Sequence, residues 1–304
     1  MDGILPLWKP KGMTSHDCVF KIRKLLKMKK VGHTGTLDPD VAGVLPICLG
    51  KGTKVAEYIT NAGKEYIGEV TLGLSTTTED ASGEVIQEKQ VIKPIDRQQI
   101  LDVLSSFLGE IKQTPPMYSA VKVNGKRLYE YARKGIIVDR PTRTVNIYEI
   151  ELLDDRNIFA GNTISFRFRV RCSKGTYIRT LAVSIGEKLG YPAHMSDLTR
   201  ISSGSFLKDD CLSFSEIETR LEEGDLENKI FPIDRGLSHL PKREINDTLA
   251  EKVNNGAVLP KDETWIYGDK EVVFINRNQV LAIYKIHPNK PHLIKPVKVL
   301  NGVN

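Results

Sequence analysis

The chain has 304 residues, of which 40% are hydrophobic and 27% charged, as is ordinary for a soluble globular protein with one large domain or two smaller ones. No run approaches the ~18 consecutive apolar residues of a membrane helix, and the N-terminal residues lack the features of a signal peptide, so we expect neither. The net charge is +6.

The charges are distributed unevenly. Residues 1–33, 117–143 and 162–208 hold eight, seven and eight Lys or Arg, each against two acids, whereas residues 209–228 hold eight acids against one base. Such polarity is typical of a protein that binds a polyanion; the alternative is a solvated surface with scattered lysines. The four cysteines are far apart and form no CxxC pair, which indicates reduced, mostly buried thiols in a cytoplasmic protein rather than a zinc site or disulfides.

Hydrophobic periodicity predicts strands and helices in mixed order. Strands are predicted over 4–8, 44–49, 65–74, 84–92, 143–153, 163–172 and 197–207, and helices over 17–30, 51–60, 94–109, 176–189 and 214–221. A polar, proline-containing connection over 232–241 marks a domain boundary. After it, a helix over 244–256 and strands over 272–276, 280–286 and 294–299 predict a small, mostly β module.

The predicted helix over 17–30 has an apolar and a basic face. We expect its apolar residues to be buried: Phe20, Ile22, Leu25, Leu26 and Met28. Lysines and an arginine cover the remainder, directly before the loop that follows.

That loop, VGHTGTLDPDVAGVLP over residues 31–46, centres on Asp38. Gly32, Gly35 and Gly43 permit backbone angles that other residues reach only with strain. Pro39 biases Asp38 away from helical geometry. The pattern predicts a shaped loop that aims the Asp38 carboxylate; the alternative is an Asp-Pro pair that merely starts a turn.

Three further basic features follow. Residues 117–135 predict a strand, an Asn-Gly turn and a short helix, in which cations alternate with tyrosines, as suits either RNA binding or a plain amphipathic hairpin. The strand over 163–172 alternates apolar residues with arginines, which predicts one arginine face. Arg179 falls in the first turn of the next helix, where a cation is unfavourable, so we expect another partner for it, such as a carboxylate.

Several of these stretches resemble one family, the tRNA pseudouridine-55 synthases of the TruB type. The motifs are KPKGMTS (9–15), VGHTGTLDPDVAGVLP (31–46) and GTYIRTL (175–181), followed by the strand at 197–200. Residues 115–135 resemble the flexible thumb with which that family grips RNA, and the tail resembles its PUA module. One departure is Gly52, where alanine is expected.

The resemblance implies a mixed α/β fold in two parts. Residues 1–238 would form a pseudouridine synthase catalytic domain with a large, mainly antiparallel sheet, a central cleft and a thumb over about 117–143. Residues 239–304 would form a β-rich, PUA-like RNA-binding domain.

The resemblance also implies residue roles. Asp38 matches the essential aspartate, which acts at C1′ or C2′ of the ribose, and Arg179 matches its guanidinium partner. Tyr66 matches the aromatic that stacks on the uracil and can help take the C5 proton, and Leu198 matches the apolar residue on the other side of the base. The remaining residues assigned to substrate binding are His33 (which would fill the space left by the flipped nucleotide), Lys9 (with a purely architectural role as the alternative), Tyr177, Lys122, Lys126 and Arg127.

The implied reaction converts a uridine of the tRNA T loop to pseudouridine after base flipping, without metal or cofactor. The implied partner is the tRNA T stem-loop, bound by the basic blocks at 21–30, 122–143 and 167–174, and we expect a monomer. Two other hypotheses stay open. A non-catalytic tRNA-binding or tRNA-folding protein would need only the basic blocks and the tail, whereas a glycoside or nucleoside hydrolase would need a second acid that the sequence does not offer near Asp38.

Overall fold

Strands dominate the fold of residues 1–300, which are the residues that the computed structural model describes. The last four residues of the predicted C-terminal module lie outside this range. The strands are, in chain order, β1 (Gly3–Lys9), β2 (Val31–His33), β3 (Ala42–Leu49), β4 (Lys64–Leu72), β5 (Leu74–Thr76), β6 (Val85–Glu88), β7 (Ile95–Asp96), β8 (Gly109–Gln113), β9 (Lys122–Val123), β10 (Lys126–Arg127), β11 (Arg143–Leu152), β12 (Ile158–Phe159), β13 (Ile164–Cys172), β14 (Ala193–Ser203), β15 (Phe206–Leu207), β16 (Lys242–Glu244), β17 (Leu259–Pro260), β18 (Val272–Asn276), β19 (Gln279–His287) and β20 (Lys290–Val299).

The helices are shorter and lie between the strands. They are α1 (Ser15–Leu26), α2 (Ala56–Asn61), α3 (Arg97–Ser105), α4 (Leu128–Ala132), α5 (Ile178–Leu189), α6 (Phe214–Glu223) and α7 (Asp247–Asn254). Short 3-10 turns occur at Gly50–Val55, Lys208–Asp210, Leu226–Lys229 and Ile233–Leu237. Within residues 1–300, no helix is long and apolar enough to cross a membrane.

A nine-stranded sheet organises the first part of the chain. Its main order is β1-β3-β14-β4-β13-β11-β8, with β2 added on β3 and β15 on β14. Every pairing is antiparallel except the short parallel contact between β14 and β3 at Thr199–Ala42 and Arg200–Gly43. The predicted large, mainly antiparallel sheet is therefore confirmed. Its single parallel contact directly follows the Asp38 loop and brings that loop beside β14 and β4.

One face of this sheet is covered by helices. The main apolar core combines residues of β1, β3, β4, β13 and β14 with the buried sides of α1, α3, α5 and α6. Alternation along β4, in which every second residue from Lys64 to Leu72 is buried, shows why the strand has one inner and one outer face. Tyr66 therefore lies on the buried face of β4, as every second residue of the strand does.

Several predicted boundaries were wrong. Helix α1 ends at Leu26, four residues before the predicted end, because Lys27 adopts a left-handed conformation with φ of 52° and closes the helix. Phe20, predicted to be buried, is 67% exposed. The helix predicted over 51–60 begins as a 3-10 turn and becomes α-helical at Ala56. In the strand predicted over 84–92, only Val85–Glu88 forms.

Close packing explains the unexpected Gly52. A Cβ atom at this position would lie 2.2 Å from the carbonyl oxygen of Gly3, so the 3-10 turn approaches β1 too closely for alanine. The glycine is therefore required by contact with a neighbouring strand, which no local pattern shows.

A second, five-stranded sheet in the order β16-β18-β19-β20-β17 forms the C-terminal part, as the predicted β-rich module requires. It begins at Lys242, shortly after the predicted boundary. Its core does not stand alone, because Val273 and Ile283 share an apolar cluster with Ile4, Val44 and Val55 of the first part. Apolar contact therefore joins the two parts.

Candidate active site

The Asp38 loop is anchored from the N-terminal side by helix α1. The Ser15 hydroxyl accepts a hydrogen bond from the Leu37 N–H at 2.9 Å and lies 3.2 Å from the Leu37 carbonyl oxygen. Helix α1 is itself held at its start by the reciprocal capping of Thr14 and Asp17. The backbone immediately before Asp38 is therefore tied to a capped helix.

Lys9 anchors the loop from the other side. Its Nζ donates to the carbonyl oxygens of Pro10 at 2.8 Å, Pro39 at 2.9 Å and Val41 at 2.8 Å. The Lys9 side chain is fully buried, and this burial lowers its pKa. The geometry favours the architectural alternative for Lys9, because all three of its donors are used within the protein and none of its surface is open to RNA.

Two of the three loop glycines have the backbone geometry predicted for them. Gly35 has φ of +86° and Gly43 has φ of +128°, and a Cβ atom on Gly43 would lie 2.2 Å from the Arg200 carbonyl oxygen. The prediction was wrong for Gly32, because its φ is not positive and a Cβ atom at this position would lie in open space.

Arg179 has the carboxylate partner that its position in the helix predicted. The Arg179 side chain is 6% exposed, and its Nη2 lies 3.2 Å from Asp38 Oδ2. The same guanidinium donates to the carbonyl oxygens of Thr78 at 3.0 Å and Tyr118 at 2.9 Å, and lies 3.6 Å from Asp80 Oδ2. Arg179 therefore joins the Asp38 loop, the loop before β6 and the base of the thumb.

Asp80 was missed in the sequence analysis, which placed no site residue between the strands predicted over 65–74 and 84–92. Its Oδ1 accepts hydrogen bonds from Thr78 Oγ1 at 2.6 Å and from the Ser82 N–H at 3.0 Å. Glu79 before it has a left-handed φ of 64°. The Thr-x-Asp-x-Ser spacing is typical of such local turns and could have singled out Asp80, although not its distance to Arg179.

Five predicted site residues line one cavity of about 280 Å³: Asp38, Tyr66, Tyr177, Arg179 and Leu198. This volume is near the lower end of small-molecule pockets, which begin at ~300 Å³. A second cavity of about 570 Å³ adjoins it at Asp38, Arg179 and Leu198 and continues towards the thumb. The structure therefore brings a carboxylate, a guanidinium, two aromatic rings and an aliphatic side chain to one concave surface.

The protonation chemistry of the cavity is set mainly by burial. Partial burial raises the pKa of the Asp38 carboxyl, and the Arg179 charge opposes that rise. Burial likewise raises the pKa of the Tyr66 and Tyr177 hydroxyls. The cavity thus holds a carboxylate whose ionisation depends on the adjacent guanidinium.

Besides Lys9, four of the predicted substrate-binding residues do not line this cavity. His33 is half-buried on β2, and burial lowers its pKa. Lys122, Lys126 and Arg127 are exposed on the β9–β10 hairpin. That hairpin, its turn at Asn124 and Gly125, and the following helix α4 confirm the secondary structure predicted for the thumb.

The thumb cations and tyrosines contact each other. Arg127 and Arg133 lie over the Tyr129 ring, with centroid distances of 5.8 and 5.3 Å, and Arg127 also donates to the Tyr129 hydroxyl at 3.0 Å. The alternation noted in the sequence therefore preorganises these side chains within the protein.

The arginine face of β13 lies on the wrong side of the sheet to reach the cavity. Val170 pairs directly with Tyr66, so the neighbouring Arg169 and Arg171 point to the opposite face. Arg169 lies 2.8 Å from Glu151, and Arg171 lies 2.6 Å from Glu149. The RNA contact expected of block 167–174 stays a prediction, and these two of its arginines already have carboxylate partners.

Two cavity residues escaped the sequence analysis, Lys64 and Arg200. Both line the cavity that holds Asp38. Lys64 precedes Tyr66 by two residues on β4, and Arg200 follows Leu198 by two on β14. The two-residue period of strands could have placed each beside its predicted neighbour. Among residues 1–300, no group of three or more His, Cys, Asp or Glu side chains forms a candidate metal site.

Comparisons with known proteins agree along the whole chain. Residues 23–178 match the TruB family pseudouridylate synthase N-terminal domain, and residues 179–238 match the tRNA pseudouridylate synthase B C-terminal domain. The chain is 58% identical over 300 residues to tRNA pseudouridine synthase B of Bacillus thuringiensis (strain Al Hakam), covering 99% of this chain and 97% of the relative. It is 59% identical over 300 residues to the protein of the same name from Geobacillus thermodenitrificans, covering 98% and 99%.

Solved structures give the same fold. A chain of a Cbf5-Nop10-Gar1 complex matches with a TM-score of 0.76 and 31% identity, over 99% of this chain and 85% of that one. A chain of an H/ACA RNP bound to a substrate RNA containing 2′-deoxyuridine matches with a TM-score of 0.73 and 28% identity, over 98% and 84%. On its sequence, its fold and its near full-length relatives, the chain belongs to the TruB family of pseudouridylate synthases.

Proposed function

We propose that this protein converts one uridine of the tRNA T loop, at position 55, to pseudouridine. The observation that carries the proposal is the Asp38–Arg179 pair at 3.2 Å in a cavity that also presents Tyr66 and Leu198. An aromatic ring and an aliphatic side chain suit the two faces of a planar base, and the carboxylate suits chemistry at its ribose. The likeness to a chain from an RNP that holds a substrate RNA supports an RNA-facing cleft.

The target base must leave its stack before it can enter the cavity, at a cost of a few kcal/mol. Asp38 then begins the reaction either by attacking C1′ or by removing the 2′ proton, and both routes need the ionised carboxylate. Arg179 supports that form through its charge. Breaking the C1′–N1 bond, rotating the base and joining C5 to C1′ completes the isomerisation, which involves no net oxidation or reduction.

RNA affinity would come from the exposed thumb cations, the basic side of α1 and the C-terminal module. We assign the T stem-loop as the part of tRNA bound, the protein as a monomer and the cytoplasm as its location. The four cysteines, none of which is in a disulfide, are consistent with a reducing compartment.

The test is tritium release from a T-arm RNA hairpin labelled at C5 of its uridines. We expect release by the wild type and by Asp155→Asn, which alters an exposed aspartate away from the cavity, and no release by Asp38→Asn. Replacing the position-55 uridine by cytidine should abolish release by the wild type. Tight RNA binding without release by the wild type, on full tRNA as well, would instead support the non-catalytic tRNA-binding protein.

A further inference from the structure

Two buried cations share the cavity with Asp38 and Tyr66. Arg200 is 1% exposed and Lys64 is 6% exposed, yet both line the cavity. Arg200 on β14 pairs directly with Tyr66 on β4, and Lys64 lies two residues before Tyr66, so all three side chains project from the same face of the sheet. Arg200 and Lys64 are close to each other, because a Cβ atom on Gly35 would lie 3.4 Å from Lys64 Cε and 3.7 Å from Arg200 Nη1.

Neither cation has a carboxylate partner among residues 1–300. Arg200 donates to the carbonyl oxygens of Val44 at 2.8 Å and Gly35 at 3.1 Å. Lys64 Nζ donates to the carbonyl oxygens of Thr60 at 2.7 Å, Ala62 at 2.8 Å and Ile59 at 3.5 Å, but unlike Lys9 it lines the cavity, so its charge acts on a group bound there. Arg179, in contrast, has carboxylates beside it.

Such an arrangement is electrostatically unfavourable in the empty protein. Two like charges in a buried site repel each other, and burying each charge without a counter-ion is unfavourable. Burial and the Arg200 charge together lower the pKa of Lys64 to about 8, so at neutral pH most molecules retain both positive charges. A negative group that enters the cavity would relieve this strain.

We propose that Arg200 and Lys64 stabilise the uracil anion that exists between cleavage of the C1′–N1 bond and formation of the C5–C1′ bond. The inference rests on the proposed function. When the bond breaks, its electron pair stays with the base, which departs with one negative charge whether Asp38 attacks C1′ or removes the 2′ proton. C5 then supplies the pair for the new bond to C1′. In the first route this bond displaces the Asp38 carboxylate from C1′, and in the second route C2′ regains its proton. N1 takes up one proton as C5 releases one, so the product is an isomer of the substrate.

Cations are suited to this step because they stabilise the anion more than the neutral base. The neutral uridine of the ground state is stabilised little by the two charges, whereas the detached anion is stabilised strongly. Only such a difference in stabilisation raises the rate of the chemical step. The carbonyls that hold Arg200 and Lys64 fix both charges before the substrate arrives, so no reorganisation is needed as the negative charge develops.

The test compares uridine with 5-fluorouridine at the target position of the T-arm hairpin. Fluorine withdraws electrons and stabilises the detached base by itself, so the fluorinated substrate depends less on the charges of the protein. Single-turnover rates of rearranged-base formation are measured by nuclease digestion and chromatography for the wild type, Arg200→Met, Arg200→Lys and Lys64→Met. Lys188→Met, which alters an exposed lysine on α5, is the matched control.

We expect the single-turnover rate on uridine to fall about 10²-fold in Arg200→Met and in Lys64→Met. On 5-fluorouridine the fall in rate should be at least about tenfold smaller. The Kd for RNA should be nearly unchanged. Arg200→Lys, which keeps the charge, should retain more activity than Arg200→Met. Equal losses on both substrates would overturn the proposal and assign the two cations to architecture alone.

Folding of each variant is checked by thermal melting. If Arg200→Met does not fold, Lys64→Met and Arg200→Lys decide the question, and wild-type rates on uridine in both would overturn the proposal. A wild type that converts neither substrate would defeat the proposed function. An active wild type, with variants whose losses do not depend on the substrate, would defeat only this inference.

Discussion

At the scale of single residues, the ionisation of Asp38 is a balance between two opposing influences. Burial raises its pKa and the Arg179 charge lowers it. Because the proposed reaction needs the carboxylate, activity is present above this pKa and is lost as the pH falls through it. Arg179 therefore extends the active range towards acid.

Replacing Arg179 by methionine should move the acidic limb of the pH–rate profile to higher pH, because the largest influence that lowers the Asp38 pKa is lost while burial and the Asp80 charge continue to raise it. We expect a loss of about 10²-fold or more at neutral pH, a smaller relative loss at alkaline pH, and an intermediate profile for Arg179→Lys. Single-turnover rates across the pH range measure this. Arg156→Met, which breaks an ion pair with Asp154, is the control, and an unmoved acidic limb in Arg179→Met would contradict the account.

At the scale of elements, two basic segments have different electrostatic surroundings. Arg169 and Arg171 of β13 face glutamates on neighbouring strands, whereas Lys126 and Arg127 form no ion pair to a carboxylate among residues 1–300. Phosphate contacts by unpaired cations release counterions and make RNA affinity depend on salt. The two segments should therefore differ in RNA binding.

The double variants Arg169→Gln/Arg171→Gln and Lys126→Gln/Arg127→Gln remove the same charge and are matched controls for each other. We expect the thumb pair to weaken RNA binding and to reduce the slope of log K against log salt by up to about two. The β13 pair should leave both nearly unchanged and remain folded, since exposed ion pairs contribute only ~0–1 kcal/mol. Filter binding at several salt concentrations gives both quantities, and an equal effect of the two pairs would restore β13 as an RNA-binding face.

The same elements show what a sequence can predict about this fold. The strand β13, the Asn-Gly hairpin and the helix α1 follow from local patterns, and the structure contains all three. The cavity residues Arg200 and Asp80 depend on contacts between distant segments, as does the glycine at position 52. Local patterns could single out Asp80 and place Arg200 beside Leu198, but they carry no information about which distant segments these residues contact. Motif resemblance was therefore needed to join Asp38, Tyr66 and Arg179 into one site.

At the scale of the whole molecule, the two sheets are joined by apolar and polar contacts. Val273 belongs to the cluster shared with Ile4 and Val44 of the first part. Lys54 donates to the Val299 carbonyl oxygen at 3.0 Å, and Lys298 pairs with Glu57. Buried contacts of this kind couple the unfolding of the parts they join. We therefore expect one cooperative thermal transition for the whole chain.

Two adjacent valines on β18 test this coupling with the same chemical change. Val272 and Val273 are both fully buried, but Val272 packs in the core of the C-terminal module and Val273 in the shared cluster. Replacing either by alanine should lower the free energy of unfolding by about 2 kcal/mol and shift a single calorimetric transition. If Val272→Ala instead moves one of two separate transitions, the module unfolds independently and its position relative to the cleft is not fixed by the shared cluster. A single transition in both variants would mean that the two parts unfold as one unit, as the shared cluster predicts.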